Sequence, residues 1–162
     1  MKGENRMRRK DREITEISKI QEVMEACTCL HLGLNDQGRV YVVPLNFGYE
    51  LVDDQFTLFF HGATEGRKTE VIRNNPCVGF EMETGYQLQP NAAACNYSAA
   101  FQSVIGEGTV EILTDPEEKR HALNKIMYHN TGREQWDFPE IMIKKTNVFR
   151  LAVERLTCKI HE

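Results

Sequence analysis

The sequence has 162 residues, of which 41% are hydrophobic and 27% charged, a composition typical of one globular domain with its own core. A net charge of −4 and a pI near 5.8 argue against a nucleic-acid partner, and no apolar stretch is long enough to span a membrane. Five cysteines without a CxxC pair argue against disulfides and a structural zinc, so we expect a cytoplasmic protein.

The N-terminal arm is basic, lacks an apolar run and is predicted to be disordered. We assign residues 1–11 to this arm and residues 12–162 to a single domain. Apolar residues at helical spacing then predict a short amphipathic helix that ends near Cys27, with Ser18 and Gln21 as a capping box.

The residues Cys27, Cys29 and His31 alternate along a segment of strand character that turns at Gly38. Because alternate residues of a strand share a face, these side chains are candidates for a small metal site. The alternative is a core in which the cysteines pack and the histidine is satisfied nearby. Since no second pair of ligands completes a metal site, we favour the core. The sequence 39–49 predicts one long strand that forms a hairpin with the first.

A proline interrupts this long strand. Pro44 has no N–H group for a sheet ladder, so it indicates an edge strand, a bulge, or a place where a ligand replaces a neighbouring strand. The next apolar run, Phe56–Phe60, is predicted to complete a three-stranded meander.

A loop with two glycines follows this third strand and leads to a helix that begins near Lys68. Gly62 and Gly66 allow close approach of the backbone to a ligand, and the first turn of a helix offers unpaired N–H donors. Arg67 and Lys68 add two positive charges. The pattern predicts a phosphate-binding loop, although an ordinary loop with a solvated helix start has the same pattern.

The remaining sequence alternates between strands and helices. No charged side chain occurs from Thr84 to Gly106, which is typical of a surface that contacts a partner or a ligand.

Thr114 and Pro116 predict a capped helix that ends before Gly132. Three further strands are predicted: Cys77–Met82, Phe101–Ile112 and Val148–Leu156. The fold class is therefore mainly β, with antiparallel strands in a closed or split barrel and helices at its periphery.

Five short motifs occur in a characteristic order: Phe59-Phe60-His61, Gly66-Arg67-Lys68, Asn75-Pro76, Ser103–Gly108 and Val148–Lys159. In order and spacing they resemble the FMN-binding split-barrel flavoproteins, a superfamily that includes the pyridoxamine 5'-phosphate oxidases, and especially its nitroimidazole-resistance (Nim-type) branch. The resemblance covers nearly the whole chain after Arg8. It implies an antiparallel split β-barrel and a homodimer with FMN between the subunits.

The resemblance also implies where the cofactor lies. The loop around Arg67 and Lys68 would hold the FMN phosphate. The strand Val43–Phe47 would lie along the isoalloxazine, where its backbone groups and Asn46 would bond the polar edge of the ring. Gln102 and Ser103 would reach the ribityl or phosphate group.

His61 matches the position beside the flavin, and its ordinary pKa near neutrality makes it the candidate for proton donation or substrate contact. Trp136 or Phe138 of the partner chain is expected to cover the ring. The complete predicted cofactor-binding set is Val43, Pro44, Leu45, Asn46, Phe47, Phe60, His61, Gly62, Ala63, Gly66, Arg67, Lys68, Gln102, Ser103 and Trp136.

The predicted function is an FMN-dependent oxidoreductase that passes electrons from a reduced donor to a small acceptor such as a nitroaromatic compound. Residues 155–159 lack the arginine-rich substrate site of a pyridoxamine phosphate oxidase, which argues against vitamin B6 oxidation. One alternative is a non-catalytic flavin- or haem-binding module, in which His61 or His129 ligates iron and Cys77 or Cys158 responds to oxidation. Another is a structural dimer with a vacated pocket.

Overall fold

The structure, a computed structural model, describes residues 9–162, so the prediction for most of the N-terminal arm lies outside the described residues. The described part begins with a short 3₁₀ turn, Lys10–Arg12. None of the helices in this part of the chain has the length and hydrophobicity that crossing a membrane requires.

The strands of residues 9–162 form one antiparallel sheet, which confirms the mainly β prediction. They are β1 (Glu13–Ile14), β2 (Leu30–Asp36), β3 (Arg39–Leu45), β4 (Gly48–Val52), β5 (Gln55–Ala63), β6 (Cys77–Gln89), β7 (Ser98–Leu113) and β8 (Thr146–His161). Their order is β3-β2-β6-β7-β8-β5-β4, and β1 pairs with the second half of β8. The sheet is not closed, because β3 and β4 do not pair.

The helices of the described chain are α1 (Ile17–Ala26), α2 (Arg67–Asn74), α3 (Pro116–Thr131) and α4 (Glu140–Lys145). The predicted capping box of α1 is wrong, because the helix begins before Ser18. The Ser18 hydroxyl donates instead to Glu16 Oε1 at 2.7 Å, and Gln21 Nε2 donates to the Tyr49 hydroxyl at 3.4 Å.

The ends of α3 follow from local sequence. Asp115 is the N-cap rather than the predicted Thr114, because its Oδ1 accepts the N–H groups of Glu117 and Glu118 at 2.9 Å each. Gly132 ends the helix, as predicted, in a left-handed conformation with φ of 68°.

The predicted long strand 39–49 is in fact two strands at the two edges of the sheet, so the predicted meander is wrong. Asn46 and Phe47 join β3 to β4. Asn130 of α3 holds this corner: its Nδ2 donates to Phe47 O at 2.9 Å, and its Oδ1 accepts from Asn46 Nδ2 at 3.2 Å. Pro44 lies in β3, an edge strand with a partner on one side only, which is one of the alternatives that the proline indicated. Because a two-residue link spans at most about 10 Å, the sheet must curl until its edge strands meet here.

The core lies inside this curl. Strand alternation turns Leu30, Leu32 and Leu34 of β2 inward, where each is at most 2% exposed. Phe60 of β5 and Phe149 of β8 are fully buried and stack with their ring centroids 5.0 Å apart. β5 and β8 thus form a rigid base for the loop that follows β5.

Gly48 lies where α3 crosses β4, and a Cβ atom at this position would overlap backbone atoms of Lys125 and Ile126. The backbone of α3 cannot move away without disturbing the packing of the whole helix. Gly48→Ala should therefore lower the free energy of unfolding by about 3 kcal/mol. Gly38→Ala is the control, since no atom lies within 4 Å of its Cβ and only its φ of 87° is unfavourable, which costs about 1 kcal/mol. Urea denaturation measures both, and equal losses would contradict the prediction.

Candidate functional site

The loop after β5 leads into the uncapped N-terminus of α2. Gly66 is the N-cap residue with φ of 130°, and no side chain of residues 9–162 caps the helix. The first N–H groups of a helix have no acceptor within the helix itself. In the described part of the chain no atom lies within 4 Å of a Cβ built on Gly66, so the space beside the helix end is open there. This arrangement is suited to an anion.

Arg67, the first residue of α2, is oriented by two neighbours. Its Nε and Nη2 donate to Asp36 Oδ2 at 2.9 and 2.8 Å, and its guanidinium lies 4.2 Å from the centroid of the Tyr41 ring. These contacts tie the loop to the β2–β3 turn. The guanidinium keeps donors on Nη1 for a further acceptor.

Lys68 lies beside the same loop, against the backbone of Gly62, which has no side chain. Its Nζ donates to His61 O at 3.1 Å and lies 5.4 Å from the centroid of the Phe149 ring. A Cβ on Gly62 would come within 2.7 Å of this Nζ, so the ammonium occupies space that a side chain at Gly62 would fill. Burial lowers the pKa of Lys68, because the charged form loses water. A bound anion would favour the charged form again.

His61 lies on β5 beside this ammonium. Although the residue is exposed overall, partial desolvation of its ring lowers the pKa of His61, and the positive charge of Lys68 lowers it further. The imidazole is therefore neutral at pH 7 and carries one ring proton. The pKa of His61 is thus lower than the ordinary value expected from the sequence.

Asn147, which we did not predict as a site residue, holds the loop in place. It is 8% exposed, and its Nδ2 lies 3.3 Å from Ala63 O, 3.2 Å from Thr64 O and 3.4 Å from Thr69 Oγ1. The Thr69 hydroxyl itself donates to Ala63 O at 3.3 Å. A polar residue next to an apolar strand was the available signal in the sequence. Its partners lie near residue 65, which only the fold brings close.

The predicted ring-binding segment of β3 divides between core and surface. Val43 and Phe47 are buried, and the Phe47 ring packs on His129 with a centroid distance of 4.4 Å. Pro44 and Asn46 are exposed. Side chains of this segment that a ligand can reach therefore alternate with ones that belong to the core.

Gln102 and Ser103 do not lie beside the β5–α2 loop along the sheet. They pair with the last part of β8, where Gln102 faces Ile160, whereas Ala63 of the loop pairs with Thr146 at the first residue of β8. The two parts of the predicted site thus sit at opposite ends of β8 in one chain.

Trp136 lies in the connection between α3 and α4. Its N–H donates to Asn124 Oδ1 at 2.8 Å, its Nε1 donates to Arg133 O at 3.0 Å, and the Arg133 guanidinium lies 4.3 Å from its ring centroid. These contacts hold the half-buried indole against α3 rather than against the loop.

The three residues considered as a metal site separate. Cys27 is fully buried, and burial raises the pKa of its thiol to about 12, so the predicted core packing holds for this residue. Cys29 and His31 are half-exposed instead. Within residues 9–162, no group of three or more His, Cys, Asp or Glu side chains is arranged to bind a metal ion.

Asn147→Ala should loosen the β5–α2 loop while the sheet stays folded. The substitution removes the amide donor from the carbonyl oxygens of Ala63 and Thr64 and should cost about 1 kcal/mol. Hydrogen exchange of peptides covering residues 63–69 should become faster than in the native protein. Asn74→Ala, at the exposed end of α2, is the matched control. Unchanged exchange in the loop would contradict the assigned role.

Lys68→Met should raise the pKa of His61 part of the way to its ordinary value, because it removes the ammonium but not the burial, which is the larger cause. NMR titration of the imidazole measures the shift. Lys19→Met on α1 is the control and should leave the His61 pKa unchanged.

The same pKa has a consequence for stability. Since the folded pKa of His61 lies below its unfolded value, the unfolded chain binds more protons as pH falls through about 6.5. Protonation of His61 in the unfolded chain therefore lowers the free energy of unfolding on acidification. His61→Gln should make the free energy of unfolding less dependent on pH near about 6.5. A His61 pKa at or above its unfolded value would contradict both expectations.

The sequence matches the pyridoxamine 5'-phosphate oxidase family over residues 16–160. Among solved structures, a proposed 5-nitroimidazole antibiotic resistance protein from Bacteroides thetaiotaomicron is 34% identical, with a TM-score of 0.79. The alignment covers 91% of this chain and 86% of that one. No curated protein matches the sequence.

More distant structures share the fold. The flavocytochrome Anf3 from Azotobacter vinelandii has a TM-score of 0.80 at 19% identity, over 97% of this chain and 72% of that one. An FAD and heme binding protein from Mycobacterium smegmatis has a TM-score of 0.79 at 16% identity, over 93% and 74%. The match to the family spans nearly the whole domain and confirms the resemblance noted in the sequence: the chain belongs to the pyridoxamine 5'-phosphate oxidase family.

Proposed function

We propose that this protein is a cytoplasmic, homodimeric FMN-dependent oxidoreductase that reduces small acceptors such as nitroaromatic compounds. The observation that supports this most directly is that Arg67 and Lys68 are the first two residues of α2, whose N-terminus is uncapped and open. Membership of the family and the 34% identity to a proposed nitroimidazole resistance protein add to it.

The donor set fits a phosphate monoester. Backbone N–H groups at the start of α2 and the free Nη1 of Arg67 are hydrogen-bond donors, and Lys68 adds a point charge. A phosphate dianion would favour the protonated form of Lys68, whose pKa burial lowers in the absence of a ligand. The terminal phosphate of FMN has this chemistry.

The neighbouring residues would orient the rest of the cofactor. The outer edge of β3 has no strand partner among the described residues, so its backbone groups are available to the polar edge of an isoalloxazine. The buried stack of Phe60 and Phe149 supports β5 from below and excludes water there. A bound flavin would supply the two-electron chemistry. His61, neutral at pH 7, would hold one proton at a ring nitrogen beside the acceptor.

A homodimer would reunite the two parts of the predicted site. Gln102 and Ser103 lie far along β8 from the loop of their own chain, so a second copy would have to bring them to it. The uncharged segment 84–106 supports such an interface, because Tyr86 is 68% and Leu88 is 54% exposed. Apolar side chains this exposed in one region are typical of a contact surface. Trp136 of the partner would cover the ring in this proposal.

The second candidate is a flavin- or haem-binding module without catalysis, which the names of the two distant neighbours favour. His129 is poorly placed as an iron ligand, because its Nε2 donates to Cys27 O at 2.8 Å and its ring packs on Phe47. Cys158 is fully buried and burial raises the pKa of its thiol to about 11, which disfavours oxidation. His61 and the exposed Cys77 are the remaining candidates for these roles.

The decisive experiment is a titration of the purified protein with FMN, FAD and haem, followed by absorption spectra after desalting. We expect retained flavin bands and saturable quenching of FMN fluorescence. Arg67→Ala combined with Lys68→Ala should weaken FMN binding by about 100-fold, because two charge-assisted contacts to phosphate are lost. Arg73→Ala, an exposed arginine in the last turn of the same helix, is the matched control. Unchanged FMN affinity of the double variant would contradict the phosphate assignment.

The catalytic part is tested with a reduced donor and a nitroaromatic acceptor. His61→Gln should retain FMN affinity and lose turnover, since the ring proton is removed while the phosphate contacts stay. Full turnover would mean that His61 only packs. A loaded protein that reduces no acceptor supports the non-catalytic module, and a Soret band in place of flavin peaks supports haem.

A further inference from the structure

We propose that Cys29, His31 and Glu81 form a reactive thiol site on the outer face of the sheet, which forms mixed disulfides with small disulfide molecules. The Cys29 thiol faces His31 Nε2 at 3.9 Å, and His31 Nδ1 donates to Glu81 Oε2 at 3.0 Å. The nucleophile thus contacts a base, and the base contacts a group that orients it. The site does not depend on the proposed flavin chemistry.

Strand geometry creates this cluster. Leu30 and Leu32 of β2 are fully buried, so His31 between them points to the opposite, outer face. Cys29 is two residues before His31 and shares that face. Glu81 is the direct partner of His31 on the neighbouring strand β6. The contact between ring and carboxylate is therefore fixed by the register of the sheet.

The cluster is open to reagents. The side chains of His31 and Glu81 are 43% and 36% exposed, and Cys29 is half-buried. A small disulfide can therefore reach the sulfur, while the partial burial of Cys29 keeps it beside the ring.

The carboxylate of Glu81 orients the His31 ring. Glu81 accepts the Nδ1 proton, which leaves the Nε2 lone pair towards the thiol. Glu83, the next outward residue of β6, is a second exposed carboxylate on this face. The residues directly opposite the cluster are uncharged, with Pro44 opposite His31 on β3 and Ile105 opposite Glu81 on β7. Glu107 lies one same-face pair further along β7, where Arg155 binds it. The geometry therefore orients the ring as a base towards the thiol.

The reaction balances with a small disulfide as the co-reactant. The Cys29 proton moves to His31 Nε2, and the thiolate attacks one sulfur of the disulfide. The bond between the two sulfurs of the reagent breaks while the bond to Cys29 Sγ forms. The departing thiolate takes the proton from His31, so the products are a protein mixed disulfide and one small thiol.

The other cysteines are internal controls. Cys27 and Cys158 are fully buried, and burial raises the pKa of their thiols to about 12 and about 11. Cys77 and Cys95 are exposed. Cys95 Sγ donates to the Asn96 side chain at 3.7 Å, and neither thiol has a histidine contact within the described part of the chain. Exposure alone therefore does not reproduce the Cys29 environment.

The test is the rate of labelling by limiting iodoacetamide at pH 7, followed for each cysteine by peptide mass spectrometry on the full-length protein. We expect Cys29 to react about tenfold faster than Cys77 and Cys95, because the adjacent imidazole can take the thiol proton as the sulfur attacks. Glutathione disulfide should then modify Cys29 first and release one equivalent of glutathione.

Two variants separate pairing from exposure. His31→Gln should reduce the Cys29 rate to that of Cys77, and Glu81→Gln should reduce it in part while the ring remains. His161→Gln, whose ring contacts Ala99 O instead of a thiol, should leave the Cys29 rate unchanged. Should His31→Gln fail to fold, the Glu81→Gln rate decides. The proposal is overturned if Cys29 reacts no faster than Cys77 and Cys95, or if neither cluster variant slows it.

Discussion

The pairing of β5 with the first part of β8 is the constraint on which the rest of the structure depends. The register places Phe60 opposite Phe149, and their stacked rings lie in the buried core. The same register places Asn147 opposite Gly62, from where its amide reaches the loop carbonyl groups. The β5–α2 loop therefore inherits the rigidity of two core strands, although it is itself exposed.

This rigidity explains how a cationic position can exist at the edge of an apolar core. The Lys68 ammonium rests on bare backbone at Gly62 and near the Phe149 ring, and Asp36 and Tyr41 orient Arg67. Each cation is placed before any ligand arrives, so ordering it adds little to the cost of binding an anion. The lowered pKa of His61 follows from the same crowding.

The two faces of the sheet carry different chemistry because side chains alternate along each strand. On β2 the inward residues are leucines, and the outward His31 meets Glu81 of β6. The thiol site that we propose lies on this outward face. The proposed cofactor site instead begins where β5 ends and the chain leaves the sheet. The two sites use different residues, so each can be altered without the other.

Local features were predictable from sequence because neighbouring residues determine them. The β2–β3 hairpin, the glycine loop before α2 and the end of α3 at Gly132 all depend on residues within a few positions. The charges of Arg67 and Lys68 beside a helix start were visible in the same way. The order of the short motifs also identified the family, because the spacing between such motifs along the chain is characteristic of a family.

Only the tertiary structure decided the rest. The break at Asn46 and Phe47 depends on Asn130, which lies more than 80 residues away, and no local pattern reveals it. The same holds for Asn147 at the loop and for Glu81 beside His31. The sequence by itself determined most of the helices and strands and the cationic loop, but not the division of residues 39–49 into two strands. Which distant side chains meet was set by strand register and by the curl of the sheet, because these contacts join residues that no short stretch of chain contains together.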